Sequence, residues 1–289
     1  MKTLVLGLGE MGASLALDLK KNPDNQIYGL DANSSSLDYA LEKGIIDQAG
    51  QSLSQVAPEM DLIILATPVQ AIINILKELA NLPLKDGLII TDLGSTKVEI
   101  MKVAKQLFAG KQVAFIGGHP MAGSQKSGVQ AGRTSLYAQQ TFFLVLANNP
   151  VSRASLMKLE GFLQPLDARF IVCQAADHDQ WMAAVSDSPH VIAFALMNAA
   201  VASLGKPEAF KNYTAGGFKS MTRIAGSDPQ LWTDALLSNP AGTLAELNQF
   251  KEELDHFYQA IANGDRTALF QIIQQAATAR QELMSGEQE

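Results

Sequence analysis

The sequence predicts an α/β fold in which a doubly wound, mostly parallel sheet is followed by an all-α C-terminal part. Two observations carry this prediction. Up to residue 172, short apolar runs alternate with helical patterns, as parallel strands joined by crossover helices require. From residue 177 onward, long helical patterns dominate and no convincing strand follows. We therefore predict two domains, residues 1–174 and 175–289.

Each element is predicted from its own pattern: continuous apolar runs predict buried strands, and apolar residues at helical spacing predict the helices between them. The predicted strands are 4–6, 26–30, 61–67, 87–92, 113–117, 141–146 and 169–172. The predicted helices among them are 13–20, 37–43, 69–79, 97–108 and 152–163. Those of the C-terminal part are 177–204, 229–238, 240–263 and 266–285. Asp177 and Ser95 are candidate helix N-caps.

The composition is that of a globular protein with a substantial core. The 289 residues are 47% hydrophobic and 18% charged, which excludes a disordered chain. The net charge of −7 argues against a nucleic-acid binder and against a membrane-surface role. Neither the first apolar run nor the longest, 191–204, has the length of a membrane span, and the first is not a signal peptide.

The single cysteine, Cys173, excludes an internal disulfide and suits the reducing cytoplasm, where we expect the protein to work. The four histidines and this cysteine show no metal-ligand spacing, so we predict no metal site. The long C-terminal helices with wide apolar faces are typical of a homodimer interface.

Three glycines after the first strand predict a dinucleotide-binding, Rossmann-type domain. Gly7, Gly9 and Gly12 have the spacing G-x-G-x-x-G, which allows a tight turn, close approach of the backbone to a pyrophosphate, and helix–strand packing. Asp31 follows the second strand, where its carboxylate can accept both ribose hydroxyls of NAD and would repel the 2′-phosphate of NADP. The predicted cofactor is therefore NAD. The predicted cofactor-binding residues are Gly7, Leu8, Gly9, Glu10, Met11, Gly12, Asp31, Thr67, Pro68 and Ser95.

Three further segments, 91–97, 117–124 and 222–229, carry polar residues within otherwise apolar structure. The first two follow predicted strands, and ligands bind at the carboxyl ends of the strands in a doubly wound sheet. His119, in the second segment, is the best candidate for a proton acceptor, because the unperturbed pKa of histidine lies near the working pH. A capping or core histidine is the alternative interpretation.

Together with the glycines, these segments resemble the prephenate/arogenate dehydrogenase family of tyrosine biosynthesis. The resemblance runs through nearly the whole chain. Its blocks are Asp92-x-x-Ser95-x-Lys97, His119-Pro-Met-Ala-Gly123, Asp177-His-Asp179, Ser186-x-x-Pro-His190 and Thr222-Arg-Ile-Ala225. It implies NAD-dependent oxidation of a cyclohexadienol that carries a 4-hydroxyl and a ring carboxylate. A hydride leaves C4 for the nicotinamide, a base takes the hydroxyl proton, and carbon dioxide is lost as the ring becomes aromatic.

The same resemblance implies roles for single residues. His119 would accept the proton, and Ser95 would orient His119 or the substrate hydroxyl. Arg223 would bind a carboxylate, for which a guanidinium fork is better suited than an ammonium. The further substrate-binding candidates are His190, Trp232, Asp187 and Gln125. His178 and His256 receive no role, because the first lies in the opening turn of a predicted helix and the second on a charged helical face.

The chain departs from the family pattern at three positions. Gln125 and Ser220 stand where relatives usually carry acids, so we expect Arg223 to be less neutralised than in those relatives. Asp187 stands where many relatives carry histidine. An acid near the substrate could attract the ammonium of arogenate and would gain nothing from the keto group of prephenate, but the side chain could equally point to solvent. Prephenate is slightly favoured as the substrate, with arogenate as the alternative.

Two other functions compete with this interpretation. A β-hydroxyacid dehydrogenase relies on a helical lysine and asparagine four residues apart, and the segment Gly216–Ser220 offers Lys219 without that asparagine. An NAD-binding sensor without chemistry would have no need for Ser95, His119 and Arg223 together.

Overall fold

The computed structural model describes residues 1–124, 126–146 and 150–285. The strands of this part form one sheet in the order β3-β2-β1-β4-β5-β6-β7-β8. They are β1 (Lys2–Leu6), β2 (Gln26–Leu30), β3 (Gln48–Ala49), β4 (Leu62–Leu65), β5 (Ile89–Asp92), β6 (Ala114–Pro120), β7 (Thr141–Leu146) and β8 (Arg169–Cys173). Neighbouring strands are parallel except β6 and β7. The predicted doubly wound, mostly parallel sheet is confirmed.

The helices that accompany the sheet pack on both of its faces. They are α1 (Glu10–Leu19), α2 (Ser34–Glu42), α3 (Leu53–Val56), α4 (Val69–Leu79), α5 (Val98–Leu107) and α6 (Pro150–Leu163). Side chains alternate along β1, so that Leu4 and Leu6 lie in a buried cluster with α4 and α5, whereas Val5 lies in a second cluster with α1 and α6. The carboxyl ends of the parallel strands therefore meet at one edge between two packed layers of helices.

Strand β6 extends to Pro120, beyond the predicted end at residue 117. His119 is consequently part of the strand and lies opposite Phe143 of the antiparallel β7. Strand β3, with only Gln48 and Ala49, was not predicted, because two residues are too few to show an alternating pattern.

The C-terminal helices are α7 (Ala175–Met182), α8 (Ser188–Leu204), α9 (Pro207–Phe210), α10 (Gly216–Thr222), α11 (Pro229–Ser238), α12 (Pro240–Ala262) and α13 (Arg266–Ser285). The predicted helix 177–204 is divided by a π-helical turn, Ala183–Asp187. Pro189 in the first turn of α8 has no N–H to donate, so one hydrogen bond of the regular helix is missing there. This loss accounts for the wider hydrogen-bond spacing of the π-helical turn before it. Asp177 is not the N-cap of α7, since the helix begins at Ala175 with Gln174 at the cap position.

Internal contacts divide the chain into two compact units, Met1–Pro240 and Ala241–Glu289. The first contains the sheet and helices α1 to α11. In the second, α12 and α13 carry several large apolar side chains that are at least half exposed: Leu244, Leu254, Tyr258, Ile261, Phe270, Ile273 and Leu283.

Judged by length and composition, no single helix in the described residues is suited to cross a membrane, whereas the bent pair Ala175–Leu204 and Pro207–Tyr213 satisfies that test.

Candidate active site

The turn between β1 and α1 is compact at two of its glycines and open at the third. Gly7 has a φ of +90°, and a Cβ there would lie 2.5 Å from the carbonyl oxygen of Ala66. A Cβ at Gly12 would lie 1.9 Å from the carbonyl oxygen of Gly7. At Gly9, by contrast, a Cβ would meet no described atom within 4 Å. The turn therefore leaves a space directly against the backbone of Gly9.

This space lies at the amino end of α1. The N-cap residue of that helix is Gly9, which has no side chain to cap the first N–H groups. Uncapped N–H groups at a helix start, together with the helix dipole, are what a pyrophosphate binds. Asp31 lies at the end of β2, where its Oδ2 accepts a hydrogen bond from Leu8 N at 2.6 Å and its Oδ1 one from Asn33 N at 2.8 Å. Thr67 and Pro68 follow β4, the other neighbour of β1. These residues share one edge of the sheet and fit a dinucleotide.

The side chain of Glu10 binds the loop that follows β6. Its carboxylate accepts hydrogen bonds from Ser124 N at 2.8 Å and Ser124 Oγ at 2.7 Å, and from Arg133 Nη1 at 3.0 Å. Tyr137 Oη adds a hydrogen bond to the carbonyl oxygen of Met11 at 2.6 Å. Because the Glu10 carboxylate is engaged in this way, the part of Glu10 that remains for a cofactor is its backbone.

A buried ion pair fixes the backbone immediately before His119. Lys97 and Asp92 are both inaccessible to solvent, and Lys97 Nζ contacts Asp92 Oδ2. Lys97 Nζ also donates to the carbonyl oxygen of Gly118 at 2.7 Å, while Asp92 Oδ1 accepts from Gly118 N at 3.1 Å. Burial lowers the pKa of Lys97, and the Asp92 carboxylate opposes that effect. Both polar groups of the Gly118 residue are therefore held in place.

His119 is joined to two residues of α7. Its Nδ1 lies 2.9 Å from Nε2 of His178, and Nδ1 of His178 lies 2.7 Å from Oδ1 of Asp179. Among the described residues, Ser95 makes no hydrogen bond to His119, and it is not the N-cap of α5, because that helix begins at Val98 after Lys97. Ser95 is a half-buried residue of the loop between β5 and α5.

The surroundings of His119 keep its imidazole neutral. Burial, followed by the neighbouring His178 and the positive charge of Lys97, lowers the pKa of His119 well below its ordinary value of 6.5. The residue is only partly exposed to solvent, at the carboxyl edge of the sheet. A neutral imidazole in this position is able to accept a proton at pH 7.

A second group of predicted residues lies on α8 and the helices after it. The rings of His190 and Trp232 are stacked, with centroids 3.4 Å apart and an interplanar angle of 22°. His190 Nδ1 lies 2.8 Å from the carbonyl oxygen of Ser186. Burial lowers the pKa of His190; the hydrogen bond to Ser186 opposes this effect, and the positive charge of Arg223 adds to it. Three substrate-binding candidates are thus brought together here.

One of the two interpretations of Asp187 from the sequence was that its side chain points to solvent, and the structure contradicts that interpretation. Its side chain is buried, and its Oδ2 lies 3.5 Å from Nδ2 of Asn239. Gln125 lies outside the described residues, and Ser220 is exposed on α10. Within the part of the chain that is described, no group of three or more His, Cys, Asp or Glu side chains has the arrangement of a metal site.

The contacts of His178 and Asp179 with the candidate site were not predicted from the sequence. The available signal was the block Asp177-His-Asp179 at a helix start, which places a histidine beside an acid in a family motif. Both residues are buried, and Asp179 accepts hydrogen bonds from Lys97 N at 2.7 Å and Val98 N at 2.8 Å. Asp179 therefore supplies the N-terminal cap of α5 that Ser95 was expected to supply.

Two family models together span nearly the whole chain. The model described as prephenate dehydrogenase, nucleotide-binding domain, matches residues 15–172, and the one described as prephenate dehydrogenase, dimerization domain, matches residues 174–275. The prephenate dehydrogenase of Lactococcus lactis subsp. cremoris is 40% identical over 281 residues, which cover 97% of this chain and 77% of that protein.

Solved structures give the same result. A prephenate dehydrogenase from Aquifex aeolicus, crystallised with hydroxyphenyl propionate and NAD+, has a TM-score of 0.89 and 30% identity over 98% of each chain. The Synechocystis arogenate dehydrogenase has a TM-score of 0.82 and 31% identity over 98% of this chain and all of that one. The nucleotide-binding model alone matches more than half of the chain. The family predicted from the motifs is confirmed, and the chain belongs to the prephenate dehydrogenase family.

Proposed function

We propose that this protein catalyses the NAD-dependent oxidative decarboxylation of prephenate to 4-hydroxyphenylpyruvate. The proposal rests chiefly on His119. This histidine is neutral, it is hydrogen bonded to His178, and it lies at the same edge of the sheet as the glycine turn. The activity is the one named for the Lactococcus lactis relative, at 40% identity. The NAD in the Aquifex aeolicus structure supports the choice of cofactor.

In this mechanism the backbone of Gly9 and the side chain of Asp31 would hold the cofactor, and NAD when bound would supply the hydride acceptor. His119 takes the proton of the substrate 4-hydroxyl as the C4–H bond breaks. Ser95 hydrogen bonds the same hydroxyl, and Arg223 binds a substrate carboxylate. Oxidation leaves a ring ketone, and cleavage of the bond from the ring to its carboxylate then releases carbon dioxide, because the electron pair of that bond makes the ring aromatic.

The activity should persist to lower pH than an ordinary histidine would permit. His119 acts in its neutral form, and its pKa lies well below 6.5. We therefore expect kcat/KM to stay level as the pH falls from about 8 to about 6.5 and to decline only below that value. A pH profile of kcat/KM reports this ionisation in the free enzyme. An acidic limb centred above about 7 contradicts the assignment.

Arogenate is the second candidate substrate, because a Synechocystis arogenate dehydrogenase is 31% identical to this chain. We favour prephenate, because the carboxylate of Asp187 is buried and lies near the amide of Asn239. We expect Asp187→Asn to change the ratio of kcat/KM for the two substrates by less than about threefold. A selective loss of about tenfold or more for arogenate instead assigns Asp187 to the recognition of an ammonium group.

The activity itself is tested by following NADH absorbance after adding prephenate, arogenate or a panel of β-hydroxyacids to the chain and NAD. We expect prephenate to be oxidised fastest. Oxidation of a β-hydroxyacid alone supports the competing dehydrogenase class. Binding of NAD without any turnover supports a sensor.

We also propose that residues 1–174 bind the cofactor and residues 175–289 complete the substrate site and form a homodimer. The dimerization-domain model over residues 174–275 supports this division, as do the exposed apolar side chains of α12 and α13. The lone Cys173 is consistent with work in the cytoplasm.

A further inference from the structure

We propose that Asp179 and His178 are positioning residues that set the tautomer of His119 and leave its Nε2 as the proton acceptor. This inference rests on the proposed role of His119 as the base. It concerns two residues that neither touch the reacting atoms in the mechanism above nor were predicted as site residues. Both lie on α7, whereas His119 lies on β6.

The chain of hydrogen bonds begins at Asp179, whose position is fixed by the start of α5. Its Oδ1 and Oδ2 accept hydrogen bonds from the N–H groups of Lys97 and Val98, at 2.7 and 2.8 Å. The carboxylate is buried, and both of its oxygens act as hydrogen-bond acceptors at the amino end of α5. An ionised carboxylate only accepts hydrogen bonds. The Nδ1 of His178, 2.7 Å away, must therefore carry the proton.

The state of His178 then decides the state of His119. A neutral imidazole with its proton on Nδ1 can only accept a hydrogen bond at Nε2. The Nε2 of His178 lies 2.9 Å from Nδ1 of His119, so the proton of that contact belongs to His119. In neutral His119, a proton on Nδ1 leaves the lone pair on Nε2. That nitrogen is the one not engaged by His178.

The packing around His178 leaves this geometry little freedom. The residue is fully buried, and its ring makes edge contacts with the rings of His119 and Phe143, at centroid distances of 5.1 and 5.3 Å. Asp179 also holds α7 to the start of α5, and Asn239 Nδ2 donates to the carbonyl oxygen of Asp179 at 2.8 Å. The base is therefore oriented by elements that are far apart in the sequence. We expect the substrate and cofactor contacts to be little affected when His178 alone is replaced.

The tautomer is measured directly by 15N NMR of the imidazoles in the full-length protein without substrate. The chain has four histidines, so single substitutions assign each signal. We expect neutral His119 to carry its proton on Nδ1 in the wild type and to populate the Nε2–H form in His178→Phe. A wild-type His119 protonated on Nε2 overturns the proposal, whatever the activity of the protein.

Kinetics provide the second readout. In His178→Phe we expect kcat to fall by about 100-fold, with KM for substrate and NAD changed by less than about threefold. His178→Gln, whose amide oxygen can accept the His119 proton, should recover part of the loss. His256→Gln, on the exposed surface of α12, is the matched control and should retain wild-type rates.

The outcomes separate the two proposals. If the wild type oxidises neither prephenate nor arogenate, the proposed function fails and the tautomer result still stands or falls by NMR. If the wild type is active and both His178 variants are as active as the wild type at every pH, His178 has no positioning role. Should His178→Phe fail to fold, the wild-type spectrum and the His178→Gln variant still show whether His178 sets the tautomer of His119.

Discussion

Replacing His119 by asparagine is expected to lower kcat by about a thousandfold while changing the affinity for NAD and substrate by only a few-fold. The asparagine amide can still donate to Nε2 of His178, so the neighbouring contact survives while the proton acceptor is lost. Initial rates and equilibrium titrations with NAD and a substrate analogue measure the two quantities separately.

His256→Gln is the control for this variant, because His256 is an exposed residue paired with Glu253 on α12. A His119→Asn enzyme that keeps more than about a tenth of the wild-type kcat shows that this histidine is structural. An equal loss in kcat and in binding would instead point to collapse of the site.

The second large effect is expected at the glycine turn, where one alanine substitution should weaken NAD binding and another should lower the stability. Gly9→Ala should leave the stability nearly unchanged, because the backbone φ is −71° and no described atom lies within 4 Å of the new methyl group. The methyl would occupy the space proposed for the pyrophosphate, so we expect the Kd for NAD to rise at least about tenfold.

Gly12→Ala is the matched variant. Its Cβ would lie 1.9 Å from the carbonyl oxygen of Gly7, a backbone atom that cannot move aside without distorting the turn. We expect a loss of about 3 kcal/mol in the free energy of unfolding. Denaturant unfolding and calorimetric titration with NAD distinguish the two variants. A Gly9→Ala protein that binds NAD as tightly as the wild type excludes the proposed cofactor position.

Most of the sheet was predictable because its strands are buried on both faces and read as continuous apolar runs. Strand β4, Leu62–Leu65, is such a run, and all four residues are buried. The short β3 was missed, since pairing of Gln48 and Ala49 with β2 depends on the neighbouring strand and not on a local pattern. The end of β6 was misplaced for a similar reason: its last residues are held by antiparallel pairing with β7.

Residues of the candidate site could be located from the sequence only where a local motif contains them. The glycine spacing and the histidine block located the turn and His119. The hydrogen bond between His119 and His178 could not be predicted in the same way, because the two residues are 59 positions apart along the chain. Glu10 illustrates the same limit, since its carboxylate binds Ser124, 114 residues later, instead of serving the motif in which it lies.

We propose that this protein couples hydride transfer from prephenate to NAD with proton abstraction by His119 and loss of carbon dioxide. The most direct test incubates prephenate and NAD with the wild type and with His119→Asn, and measures NADH, carbon dioxide and 4-hydroxyphenylpyruvate in the same reaction. We expect the three products in equal amounts with the wild type, at a rate that the substitution lowers by about a thousandfold. NADH formation without carbon dioxide would contradict the coupled decarboxylation, and equal rates for the two proteins would contradict the role of His119.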